Sequence, residues 1–265
     1  MNTTLKTLTC LLLLIAAPLT QAQTVTLAVE ATFPSEQATF VYEPLKQYLE
    51  SKTGFTVNIE VKDNYYFYWR AAKNETPEFT LDAAHVAAYR MEEKGYVPIA
   101  TVQEETKYHL ISDFEPAAGQ SIDAFLVGKS VVMLPNPNMA SLLFDQWFTD
   151  LFLQPNKVVS ALSWEDVMEQ VFAQTAQAAI VPSSVYEIYS NLLELKVSDP
   201  MPGITFLAAP HVDSGTRDNF KKAIMAIGED DETFDILAEL NTDGFAEVDK
   251  EKYKDLAKLL TRLLY

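Results

Sequence analysis

Residues 129–141 read KSVVMLPNPNMAS. The run 129–134 carries the apolar stretch 131–134 and is too short for a helix, so it reads as a strand. Pro135-Asn136-Pro137-Asn138 follows, a corner of residues that favour turns. From Met139 the apolar spacing predicts a helix over 139–152, with Asn138 as its N-cap. A strand that enters a helix through a short polar corner is the unit of sheets covered by helices.

The same unit recurs on either side. Upstream, strands are predicted over 24–29, 55–61, 79–83 and 97–102, with helices over 39–51 and 85–94. Gly54 and Gly95 stand just past the two helices, where a left-handed cap is expected. Residues 107–112 read as a strand crossing into a second unit. Downstream of 141, strands over 158–161 and 178–181 flank a helix over 164–174, and a helix over 183–195 follows. Residues 204–208 read as a return strand, with helices over 217–227, 232–240 and 250–264. The alternation restarts near residue 113, which predicts two α/β lobes, each a parallel central sheet flanked by helices. Lobe 1 is expected to comprise 23–108 and 204–265, and lobe 2 to comprise 109–203. Two crossing segments then form a hinge, and a ligand cleft lies between the lobes where helix N-termini point.

The first 22 residues have a different character. Lys6 precedes the apolar run CLLLLIAA at 10–17; Pro18 ends it, and Thr20-Gln21-Ala22 supplies small residues at −3 and −1 of a cut. This is the layout of a secretory signal peptide, and the run is shorter than the roughly 20 residues that cross a bilayer. Cys10 precedes most of the apolar run, so a lipid anchor is not expected. Cleavage removes one Lys and no acid, taking the formal charge from −17 to −18, and it removes the single cysteine. The expected product is an exported, acidic, thiol-free protein, long enough to bury a core without disulfides. A polyanion of this size repels phosphate backbones, so nucleic acid is not an expected partner.

Motifs for catalysis are missing. The three histidines, His85, His109 and His211, form no metal-ligand spacing, and there is no G-x-S-x-G, Walker loop or G-x-G-x-x-G. No enzyme, metal or cofactor is expected. The strand-to-helix corners carry the binding chemistry instead: 32–35, 84–86, 135–141 and 181–185 each bring free N–H groups, hydroxyls or His85 to a helix start, which suits a small oxyanion. The five aromatics 65–69 (YYFYW) sit in a polar setting and read either as a packing plug or as an aromatic wall on a ligand.

Tyr42-Glu43-Pro44-Leu45 with Tyr48-Leu49-Glu50 and Gly54, then Asp63-Asn64-Tyr65, then Ala84-His85-Val86-Ala87-Ala88-Tyr89 and Gly95-Tyr96-x-Pro98, resemble the first lobe of the phosphonate/phosphite/phosphate-binding proteins of ABC importers. Val127-Gly128-Lys129-Ser130-Val131 with 135–138, and Gly244-Phe245 with Tyr253-Lys254-x-Leu256, extend the similarity over nearly the whole chain beyond residue 22. The resemblance implies a two-lobed periplasmic binding protein of type 2 that closes over a small ligand and delivers it to an inner-membrane permease. It places Tyr65 beside the ligand, the 84–86 corner with His85 among the donors, Asn136, Asn138 and Ser141 on the phosphoryl oxygens, and Ser183 and Ser184 at the closing corner. Members carry a Ser-Thr-Ser-like run where this chain reads 137–141 PNMAS, so Ser141 is the hydroxyl that remains there.

The reading is a monomeric periplasmic solute-binding protein for an oxyanion or organophosphorus compound. Alternatives keep the fold and change the role: a cationic or aromatic solute with Asp63 or Glu187 as counter-charge, ferric iron held by paired tyrosines, a ligand sensor for a membrane kinase, or an exported enzyme.

Overall fold

The computed structural model describes residues 23–261 apart from 190 and 230. The signal-peptide and lipid-anchor expectations fall on residues 1–22, outside the described residues. Chain order begins β1 (Thr24–Val29), α1 (Ser35–Thr53), β2 (Thr56–Val61), α2 (Tyr65–Asn74), β3 (Phe79–Asp82), α3 (Ala84–Lys94) and β4 (Val97–Val102). After the short β5 (Glu105–Thr106) come β6 (Tyr108–Ser112), α4 (Ile122–Leu126), β7 (Ser130–Val132), α5 (Met139–Trp147) and β8 (Asn156–Val158). Then follow α6 (Trp164–Phe172), β9 (Ala178–Pro182), α7 (Ser183–Ile188) and β10 (Leu193–Val197). The chain returns through β11 (Met201–Pro202) and β12 (Thr205–Ala208) to α8 (Ser214–Met225), α9 (Phe234–Leu240), β13 (Phe245–Ala246) and α10 (Lys258–Thr261).

Two main sheets result. One has the order β13-β4-β12-β3-β1-β2 and the other β10-β6-β9-β7-β8, with the small pair β11-β5 formed by the two connecting segments. The first sheet takes strands from both ends of the chain, as the return of the chain after residue 203 requires. Both sheets are mixed rather than parallel. β1 pairs in parallel with β2 and β3, and β7 with β8 and β9, but β12 runs antiparallel to β3 and β4, and β6 antiparallel to β9 and β10. β6 and β12 are reached by the crossing segments, which enter a sheet without a covering helix to set their direction, and β13, added at the edge after α9, also runs antiparallel to β4.

Local chemistry explains most boundaries. Gly54 and Gly95 cap α1 and α3 with positive φ, in the left-handed conformation. The aromatic block is the start of α2, capped by Asn64, whose side chain accepts from the Phe67 N–H at 3.1 Å. Tyr65, Tyr68, Trp69 and Ala72 share its buried face at helical spacing, while Tyr66 and Phe67 face solvent. Several predicted helices are shorter in the structure. The one over 139–152 ends at Trp147, and that over 183–195 ends at Ile188 because Leu193–Val197 instead pairs with β6 at the sheet edge. The one over 250–264 breaks at Asp255, which takes a left-handed backbone conformation.

Candidate functional site

Between the two sheets lies a cleft of about 530 Å³. Its first wall comes from the carboxyl ends of β1 and β3 and the helix starts behind them: Glu30, Thr32, Phe33, Ala83, Ala84 and His85. The second wall is built from the starts of α5, α6 and α7, contributing Asn138, Trp164, Glu165, Ser183 and Ser184. Five helices thus begin at the cleft, α1 and α3 from one side and α5, α6 and α7 from the other. The positive ends of their dipoles lie at the cleft, and part of the first-turn N–H groups is already taken: Ala140 by Asn138 Oδ1, Asp166 by Ser163 Oγ and Ser183 by the Lys107 carbonyl. The connecting segments close one end through Glu104, Glu105, Thr106, Met201, Pro202 and Gly203.

Of the residues singled out in the sequence, His85, Asn138, Ser183 and Ser184 meet on this cleft. Tyr65, Asn136 and Ser141 are not among the residues lining it. Tyr65 is buried behind the first wall, where its hydroxyl donates to Glu30 Oε1; it holds a lining residue instead of touching the cleft. Asn136 is exposed on the corner, turned outward ahead of the buried Pro137 and Asn138. Ser141 is buried one turn inside α5, with its Oγ unpartnered among the described residues. No residue of the aromatic block lines the cleft: Tyr65, Tyr68 and Trp69 pack inward, and Tyr66 and Phe67 face solvent.

His85 joins the walls. It is fully buried, and its Nε2 lies 2.9 Å from the Pro137 carbonyl across the cleft. A carbonyl only accepts, so Nε2 carries the hydrogen and Nδ1 is left as a bare acceptor, without a partner among the described residues. Burial lowers the pKa of His85 to about 4, against the smaller opposing effect of the Pro137 bond, so the ring is neutral at physiological pH. Asn138 is spent on its helix: its Oδ1 accepts from the Ala140 N–H at 3.0 Å.

Two residues that the sequence reading passed over matter here. Glu30, at the end of β1, is buried on the cleft floor. Desolvation raises its pKa to about 7, opposed by the hydrogen bond from Tyr65 and reinforced by the negative charge of Asp82. A charged residue closing an apolar strand at the carboxyl edge of a sheet was the available signal. Behind it, Asp82 accepts from Tyr68 Oη (2.6 Å) and Thr80 Oγ1 (2.6 Å) and pairs with the buried Arg90 (Nε to Oδ2, 2.9 Å). The second is His109, which stands behind Ser183 on the other wall (Nε2 to Oγ, 3.1 Å).

The lining holds six glutamates (30, 104, 105, 165, 187 and 239) and no lysine or arginine. Glu105 pairs with Lys252 at 2.7 Å, outside the lining, and Glu104 accepts from the Asp243 N–H at 2.8 Å. Among the described residues no group of His, Cys, Asp and Glu could hold a metal ion, and no helix is long and apolar enough to cross a membrane.

Two mixed α/β lobes with a cleft lined by helix N-termini define a two-lobed solute-binding protein. Residues 27–253 match the family model for the periplasmic substrate-binding protein of phosphonate ABC transporters, and the chain belongs to that family. Its membrane partner is therefore an ABC permease; the family match gives the sensor alternative no support. Comparison with curated sequences gives no match. Among solved structures, the chain is similar to PhnD1 of Prochlorococcus marinus in complex with methylphosphonate (TM-score 0.76, 12% identity, covering 91% of this chain and 98% of that one). It is likewise similar to a binding-protein component of an ABC phosphonate transporter from Pseudomonas aeruginosa (0.72, 13%, 92% and 86%). A third, XAC2383 of Xanthomonas citri bound to ATP, has a TM-score of 0.70 at 11% identity, covering 91% and 98%.

Proposed function

We propose that this protein captures a small organophosphorus compound in the cleft and closes over it for delivery to the permease. The lobes are taken as 23–108 with 204–265 and as 109–203, hinged at the two segments that carry β5 and β11. The observation that carries the reading is the convergence of five helix starts on one cleft: aligned N–H groups favour a phosphoryl group at the 84–86, 138 and 183–184 corners. Ligand contact with both walls stabilises the closed form, which the permease reads. The protein acts as a monomer in the periplasm, catalyses no reaction and uses no cofactor, which accords with the transport role of the family.

The lining also narrows the ligand. Six glutamates without a lysine or arginine oppose a bare polyanion, and the unpartnered His85 Nδ1 calls for a hydrogen-bond donor. A phosphonate that carries an amine meets both demands. The same carboxylates favour the second reading, a purely cationic solute. Calorimetric titration with methylphosphonate, aminomethylphosphonate and a tetraalkylammonium salt separates them. The proposal expects the strongest binding with aminomethylphosphonate; binding of the ammonium alone, with both phosphonates inert, would overturn it.

A further inference from the structure

The cleft is larger than a methyl- or aminomethylphosphonate needs. Its walls already touch: His85 Nε2 lies 2.9 Å from the Pro137 carbonyl, and Asn138 and Met139 beside that contact are each 1% exposed. The volume of about 530 Å³ is therefore what remains with the lobes in contact. Aminomethylphosphonate has the bulk of about six water molecules, roughly 180 Å³ at about 30 Å³ per water, and takes up about a third of that space.

Apolar side chains line much of the rest. Ser184 and Ile188, and likewise Val185 and Tyr189, stand one helical turn apart, and all four line the cleft. From the 183–184 corner the wall thus turns apolar over roughly 6 Å, the rise of one turn. Ile188 is 72% exposed although it lines the site, which leaves most of its surface to be covered. Trp164, at the start of α6, packs with Tyr189 on the buried cluster of the second sheet and keeps part of its surface open. Phe33 and Leu240 add to the lining from the first lobe. Water against such side chains is displaced with a gain by an apolar group. The charges narrow the class further. Glu165, Glu187 and Glu239 follow or precede Trp164, Ile188 and Leu240 directly, line the cleft and are exposed, so they oppose a second anionic group on the ligand.

We propose that the solute is an organophosphorus compound with one anionic group and an apolar ring, joined to phosphorus through a single carbon and seated against Trp164, Ile188 and Tyr189. The inference rests on the reading that the 84–86, 138 and 183–184 corners take the phosphoryl group, and it adds what occupies the remainder of the cleft. One helical turn along α7 matches the reach of such a ring from the phosphorus.

The test is calorimetric titration of the full chain with aminomethylphosphonate and amino(phenyl)methylphosphonate, which differ by the ring alone. The phenyl compound should bind about tenfold or more tightly, because the ring covers apolar surface that the smaller compound leaves to water. Trp164→Ala and Ile188→Ser should each lower the ratio of the two affinities. Ile188 is exposed, so its substitution spares the fold and decides the matter even where Trp164→Ala does not fold. A ratio below tenfold with both compounds bound overturns the inference and leaves the proposed function standing. A ratio that Ile188→Ser does not change overturns the seat given to the ring. Failure of both compounds to bind overturns the proposed function and the inference with it.

Discussion

On the first wall of the cleft, Glu30 is buried against Tyr65, and behind it Asp82 is shared by Tyr68, Thr80 and Arg90, all of them buried. On the second wall, Ser183 and His109 meet Glu194, whose side chain is 37% exposed. Both walls hold a carboxylate in a side-chain network, yet the network of the first is buried while the second keeps contact with water. Each wall therefore spends its polar groups differently. In the dry wall Asp82 has its counter-charge in Arg90, so the network fixes geometry and the loss of either member is expensive. On the wet wall the Glu194 carboxylate stays in reach of water, so the loss of a partner there costs less.

Substitutions on each wall put this contrast at risk. Arg90→Met should have the largest effect, because it leaves Asp82 buried without its counter-charge; urea unfolding should show a loss of about 3–5 kcal/mol. A loss under about 1 kcal/mol, the range of ordinary surface changes, would mean that the first wall is not a closed network. Glu30 and His85 should give pH dependences of opposite sense. The Glu30 pKa is raised from 4.5 to about 7, so the stability tied to its neutral form is complete below pH 4.5 and is lost as pH rises through 7. Glu30→Gln should therefore gain up to about 3 kcal/mol relative to wild type at pH 8 and almost nothing at pH 4. The His85 pKa is lowered from 6.5 to about 4, so its contribution is complete above 6.5 and lost as pH falls through 4; His85→Gln should flatten the acid limb of the stability profile.

Gly203 extends the comparison to the hinge side. A Cβ there would stand 2.2 Å from Val102 Cγ2 and 2.7 Å from the Glu104 carbonyl, so Gly203→Ala should cost about 1–3 kcal/mol by thermal unfolding. The smallest effect on stability should come from Ser184→Ala on the wet wall, within about 0.5 kcal/mol. Its affinity for a phosphonate should nonetheless drop by roughly tenfold or more, the worth of one hydrogen bond to a charged oxygen.

Much of this is legible in the sequence. Strand-to-helix corners announce themselves by composition, which is why His85, Asn138, Ser183 and Ser184 can be named before the sheets are known. What escapes is pairing at a distance. Nothing near Tyr65 shows that its hydroxyl is taken by Glu30 at the end of another element, or that Glu194 lies beside His109. Residues 193–195 read as the end of a helix because they belong to a short edge strand whose partner, β6, lies far upstream in the chain. The direction of β6 and β12 escapes for the same reason: it is set by where the crossing segments arrive.

The decisive measurement is a crystal structure grown with aminomethylphosphonate. The phosphoryl oxygens should lie within hydrogen-bond distance of groups at both the 84–86 and 183–184 corners, with the amine toward the glutamates and His85 Nδ1. Density held by a single lobe, or an empty cleft at saturating ligand, would refute the two-walled capture described above.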